Sequence, residues 1–208
     1  MFTVSTRVPR LVSALLAGSL ASLVPGFAAN ASSPPTASSR NAPRTETIDL
    51  AARGRIVLTV PAGWTLRRDD PARPFNLTFE APPGVNATAT LTFGFPEEGR
   101  LATASAVRAE AQAMGDEQAA ASLERRTVLQ TFRLRAGYGY FSSFTDPKLV
   151  GQPPVPGDYK TITVGILRLG PGVVGVISLL CDDLGGPEFL QFRAMVEALE
   201  LLGPGRAR

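Results

Sequence analysis

"YKTITVGILRLGPGVVGVISLLCDD", residues 159–183, decides the fold. Its middle, "GPGVVG" (170–175), matches the dinucleotide-binding fingerprint G-x-G-x-x-G letter for letter. That motif works because a helix opens at the glycine loop and turns its N-terminal amides toward a pyrophosphate. Here the loop is followed by "VISLLC", short and β-branched, which is the composition of a strand. Pro171 also removes one amide donor from the loop. The stretch therefore reads as strand, turn, strand, closed by Gly170-Pro171-Gly172. An antiparallel hairpin replaces the dinucleotide site, and no cofactor is expected.

Working outward from the hairpin, the same alternation recurs. "RIVLTVPAGW" (55–64) sets Ile56, Leu58 and Val60 against Val57 and Thr59 and stops at Pro61-Ala62-Gly63. "WTLRR" resumes it briefly. "FNLTFEA" alternates Phe75, Leu77 and Phe79 with polar residues, and "ATATLTFGF" places Leu91, Phe93 and Phe95 on one face. Pro82-Pro83-Gly84 joins these two as a hairpin. The period then changes. Between Leu101 and about Ser122, the residues Leu101, Ala104, Val107, Ala111 and Met114 recur at three and four, which predicts a helix face. Gly115 argues against one unbroken helix.

Strand character returns in "RRTVLQTFRLRAGYGYFSSFTD" (125–146). Val128, Phe132 and Leu134 share one parity. Tyr138, Tyr140, Ser142 and Phe144 share a second run, with Phe141 opposite. "VGQPPVPGD" is a loop. Pro187 fits the first position of a closing helix whose stripe is Phe189, Phe192, Val196 and Leu199, with Met195 alongside. Two one-sided helices must each cover a sheet face. The expected fold is α+β, a mainly antiparallel β-sheet flanked by helices in an α/β/α sandwich.

The ends of the chain read differently. Arg7 and Arg10 precede the uncharged stretch Leu11–Val24, which is too short for a membrane span of roughly 20 apolar residues. Pro25-Gly26 and the small-x-small pattern Ala29-Asn30-Ala31 complete a signal peptide over 1–31, with the cut before Ser32. An uncleaved leader would instead anchor the chain. No cysteine near the cut supports a lipid anchor, and no adjacent arginine pair precedes the apolar run. Residues 32–52 begin "SSPPTASSRNAPRTET" and read as a flexible leader. A single domain over 53–202 and a loose tail over 203–208 follow. Removing 31 of the 208 residues leaves 177, the size of one domain. The expected location is exported, in the periplasm or outside the cell.

Composition narrows the chemistry. The formal net charge of +3 falls to +1 without Arg7 and Arg10, and no long basic run remains. Nucleic acid is not an expected partner, since phosphate neutralisation needs a cationic field. There is no histidine, the commonest general base and zinc ligand. Cys181 is the single cysteine, so no intramolecular disulfide forms, and its apolar run implies burial. Ser142 and Ser143 lack a histidine partner, and Lys148 and Lys160 flank a loop.

Two sets of residues are left as candidate sites. Trp64, Tyr138 and Tyr140 would line a ligand cleft if their rings converge, although core packing is the simpler role. Asp146, Asp158, Asp182 and Asp183 would hold a divalent cation if their oxygens converge, although solvated strand ends are the simpler account.

Taken together, "VPAGW", the mid-chain helix, "GYFSSFTD", the long hairpin and the closing helix resemble the photosystem PsbP/Mog1/DcrB-like group over roughly residues 53–202. The resemblance implies a central antiparallel sheet between helices and an accessory, assembly or binding role, often after export. The histidine metal ligands of some plant members have no counterpart here. Three functions follow as expectations. The first is an exported non-catalytic binding or accessory protein of the cell envelope, acting on an unknown envelope protein or small ligand. The second is a carboxylate- or cation-dependent hydrolase. The third is an envelope interaction module held at the membrane by its uncleaved leader.

Overall fold

The computed structural model describes residues 42–68 and 75–203. The expected signal peptide, the leader up to residue 41, the pair Asp69-Asp70 and the tail from residue 204 lie outside the described residues. The elements are β1 (Arg44–Asp49), a 3-10 turn (Ala51–Arg53), β2 (Arg55–Val60), β3 (Thr65–Arg67), β4 (Asn76–Glu80) and β5 (Ala87–Gly94). There follow α1 (Ala104–Ala119), β6 (Gln130–Phe132), β7 (Tyr138–Thr145), β8 (Thr161–Gly170), β9 (Val173–Cys181), α2 (Pro187–Glu197) and β10 (Glu200–Leu202).

The hairpin that opened the analysis is the centre of the molecule. β8 and β9 pair antiparallel, from Thr161 opposite Cys181 to Arg168 opposite Val174, in a seven-stranded sheet ordered β3-β4-β5-β9-β8-β7-β6. Both central strands are apolar on both faces because both faces are covered. Leu167, Leu169, Val173, Ile177 and Leu179 face one side with Phe79, Phe93 and Phe141. Ile162 and Ile166 face the other side. Small residues allow this packing. A Cβ on Gly165 would stand 2.7 Å from the carbonyl oxygen of Tyr140 and 2.8 Å from the Cβ of Phe141, so the close approach of β7 needs this position bare.

α1 lies on the Ile166 side, against β7 and β8. It runs unbroken through Gly115, contrary to the local expectation. The reason is tertiary. A methyl group on Gly115 would overlap Thr127 Cγ2 and stand 3.0 Å from its Oγ1. The buried face is Val107, Ala111, Gly115 and Ala119, a stripe of small residues that brings the helix close to the sheet. Ala104 is exposed, so the expected stripe is displaced at its start. Thr103 caps the helix by accepting the amide of Ala106 at 3.2 Å.

The opposite side carries α2 and a second sheet, ordered β1-β2-β10. α2 starts at Pro187, as expected, and buries Phe189, Phe192, Met195 and Val196. β1 corrects the expectation of a flexible leader reaching residue 52. Residues Arg44–Asp49 pair along the whole of β2, and Ile48 and Leu50 are buried in the main core. Only one large apolar residue, Ile48, lies in this strand, so its stability comes from a partner rather than from its own pattern. β10 pairs with the other edge of β2, placing Leu201 opposite Ile56. The result is three layers, with α1 on one face of the large sheet and α2 with the small sheet on the other.

Candidate functional site

The layers separate the aromatic candidates. Trp64 is 2% exposed and belongs to the core beneath α2, where its indole Nε1 donates to Gln191 Oε1 at 2.9 Å. Tyr138 and Tyr140 are half-buried on the other face of the sheet, with the cluster under α1. No common cleft joins them to Trp64. The strand parity read from "YGYFSSFT" is present: Tyr138, Tyr140 and Phe144 face α1, and Phe141 faces α2. Ser142 donates to Val128 O at 3.0 Å, and Ser143 shares a 2.8 Å hydrogen bond with Thr163.

The four aspartates brace separate turns. Asp146 accepts the amide of Lys148, and Asp183 accepts the amide of Gly185 in the turn before α2. Asp182 accepts the amide of Lys160 and the side-chain amide of Asn86. Asp158 meets Asp182 through Asn86, whose Nδ2 also donates to Asp158 O at 2.9 Å and Val155 O at 3.2 Å. Asn86 Oδ1 in turn accepts the amide of Gly157. Among the described residues, no three of histidine, cysteine, aspartate and glutamate gather where one metal ion could be held. The expected cation site is therefore not assembled. Adjacent acids at a strand end diverge, and the carboxylates of Asp146, Asp182 and Asp183 bond to nearby amides instead. Asn86, which closes the 155–158 loop onto the sheet, was not a candidate from sequence. The Pro82-Pro83-Gly84 turn before it was its only local signal.

The environment of the remaining reactive groups is similarly structural. Cys181 is 1% exposed, and burial pushes its thiol up, reinforced by the charges of Asp182 and Glu188 against hydrogen bonds with Thr161 and Asp183. Burial also pushes Tyr159 up, with help from Asp182 and Glu80.

Two recesses open on the surface. One, of about 320 Å³, lies beside the loop braced by Asn86 and is lined by Lys148, Leu149, Gln152, Pro153, Val155, Asp158 and Lys160. The larger, of about 560 Å³, lies at the β8–β9 turn. It is bordered by the 3-10 turn after β1, the loop from Pro96 to Ala102, Arg168 and Pro171-Gly172. Three arginines reach it. The guanidinium of Arg53 lies 5.9 Å from the ring centre of Phe95, and that of Arg168 lies 5.7 Å from the ring centre of Tyr138. Arg100 is exposed on the loop. The candidate Tyr138 thus reaches a surface recess indirectly, beneath Arg168. Its hydroxyl donates to Ala102 O at 2.6 Å and ties the 96–102 loop to β7.

Comparison with known proteins gives likenesses to solved structures. No protein-family model matches the chain, and no curated protein matches it. The solution structure of cyanobacterial PsbP from Synechocystis sp. PCC 6803 aligns with 85% of this chain and 98% of its own, at 11% identity and a TM-score of 0.47. At that identity and TM-score the likeness is a distant one. A crystal structure from Bacteroides thetaiotaomicron VPI-5482 aligns with 71% of this chain at 11% identity and a TM-score of 0.46. The chain spans about half the length of that protein, 45%. The expected α+β arrangement of helices on an antiparallel sheet is the one observed.

Proposed function

We propose that this protein is a non-catalytic binding or accessory protein of the cell envelope, exported by the leader over residues 1–31. The observation that carries the reading is the larger recess. It presents three guanidinium groups whose hydrogen-bond donors the described residues leave unused, while Ser142, Ser143, Cys181 and Asp183 hold the chain's own turns and strands together. Binding needs exposed, oriented donors, whereas nucleophilic catalysis needs an activated nucleophile beside a base.

Purified protein incubated with ester, glycoside and peptide substrate panels should give no specific turnover. Turnover that is lost on substituting a single residue would overturn the reading. N-terminal sequencing of the exported form should begin at Ser32. An intact Met1 on membrane-bound material would favour the anchored interaction module instead.

A further inference from the structure

We propose that the recess at the β8–β9 turn is an oxyanion-binding site, with Arg53, Arg100 and Arg168 as the binding groups and Phe95 and Tyr138 as positioning residues. The proposal rests on the binding reading above and names the class of ligand: a small molecule carrying phosphate or carboxylate groups.

The argument starts from how the arginines are held. An arginine that braces a fold normally does so through its N–H donors, as Arg67 does with Glu80 at 2.6 Å and Arg193 with Glu197 at 3.0 Å. Arg53 and Arg168 lie over ring faces, as Arg193 does over Phe141, but unlike Arg193 they pair with no carboxylate among the described residues. Stacking fixes the plane of a guanidinium and leaves its donor edge free. Gly172 adds to this, because a Cβ there would come within 2.6 Å of Arg53 Nη1, so the bare turn makes room for the group. Among the described residues, none of the three guanidinium groups donates a hydrogen bond or forms an ion pair, although the backbone amides of Arg53 and Arg100 do donate within their turns. A planar fork of free donors suits the paired oxygens of phosphate or carboxylate.

The backbone supports the same placement. Three non-glycine residues among those described adopt the left-handed region, and two of them flank these arginines: Ala51 at φ 53°, two residues from Arg53, and Leu101 at φ 55°, next to Arg100. Such conformations cost stability and tend to collect where a surface is shaped for binding. A bulge between Arg168 and Gly170 ends the regular pairing of β8 at the position that carries the third arginine.

Glu97 and Glu98 also line the recess. Three cations against two carboxylates leave one net positive charge there. The glutamates oppose an anion, so neutralising one should tighten binding.

Isothermal titration with pyrophosphate and, separately, citrate, in low-salt buffer free of other oxyanions, tests the site. At least one probe should bind with Kd below about 1 mM, and the tighter one names the preferred group. Arg168→Gln and Arg53→Gln should each weaken binding about tenfold. Tyr138→Phe, which keeps the ring, should weaken it less than Tyr138→Leu, and Glu98→Gln should strengthen it. Circular dichroism and the melting temperature establish that each variant folds. The site is refuted if neither probe binds at about 10 mM, or if folded Arg53→Gln and Arg168→Gln keep full affinity. Measuring phosphate release in the pyrophosphate samples separates the two claims. Binding with hydrolysis would overturn the non-catalytic reading and leave the anion site standing. Absence of binding would overturn the site and leave the non-catalytic reading standing.

Discussion

Replacing Gly115 by alanine tests the packing of α1 directly. In an exposed helix the change would stabilise by about 1 kcal/mol, since glycine is the poorest non-proline helix former. Here the new methyl group would overlap Thr127 Cγ2 and stand 3.0 Å from its Oγ1 and 3.3 Å from its Cβ. Thr127 cannot easily turn away, because it is β-branched and its hydroxyl donates to Asp116 Oδ1 at 2.5 Å. Overpacking of this kind costs about 1–3 kcal/mol. The net expectation is a loss of about 1 kcal/mol, which lowers Tm by about 2–4 °C for a domain of this size. Thr127→Ala removes both offending atoms. The double variant should then recover the helix preference of alanine, giving a favourable coupling of about 1–2 kcal/mol. Urea unfolding followed by the fluorescence of Trp64, the single tryptophan, measures all four corners of the cycle. If Gly115→Ala stabilises the protein and shows no coupling to Thr127→Ala, the close approach of α1 to that segment is wrong.

Three further outcomes are expected. Asn86→Ala removes the donor that ties Val155 and Asp158 to Asp182, so stability should fall by about 1 kcal/mol, with faster amide exchange confined to residues 150–160. Cys181 should resist iodoacetamide at pH 8 in the folded protein and react fully in urea, because it is buried with a raised pKa; modification at the rate of a free thiol under native conditions would contradict this. For Glu124, burial raises the pKa, but hydrogen bonds from the Thr145 amide and hydroxyl outweigh it and hold the carboxyl below its ordinary value. A depressed folded pKa gives stability that is present above the unfolded pKa and lost as pH falls through the folded one. The difference between wild type and Glu124→Gln in urea unfolding should therefore be full at pH 7 and shrink in the acid range. A difference that grows on acidification would reverse the assignment.

Much of the fold was legible because central strands declare themselves. β8 and β9 are branched and apolar on both faces, and β4 and β5 alternate cleanly. α2 was marked by Pro187 and its four-residue stripe. β1 was not legible, since "RTETID" carries one large apolar residue and draws its order from pairing with β2. β10 has three residues and continues the apolar run of α2, so no local boundary announced it. The segment read as a strand from residue 125 forms ladder bonds only at Gln130–Phe132, and Val128 stays exposed there. Tyr138 was singled out beside Trp64, but it lies on the other face of the sheet, beneath Arg168. Its ring supports Arg168, a residue on the next strand that ordinary strand patterning treats as a solvated charge. Arg53 and Arg100 had no sequence signal at all, because their meeting depends on three separate turns.

The position of β2 between β1 and β10 has a consequence for how the chain is made. Ile56 has Ile48 on one side, which the ribosome delivers just before it, and Leu201 on the other, which is made only after all seven strands of the large sheet. Half of the small sheet can form during synthesis, and the other half must wait for α2 and the strand after it. Until then Phe79, Phe93 and Ile177 have no lid, and a nascent chain displays them to any chaperone nearby. Closing so long a loop is slow in entropic terms. Truncation a few residues before Leu201 should therefore harm maturation far more than its small buried area suggests.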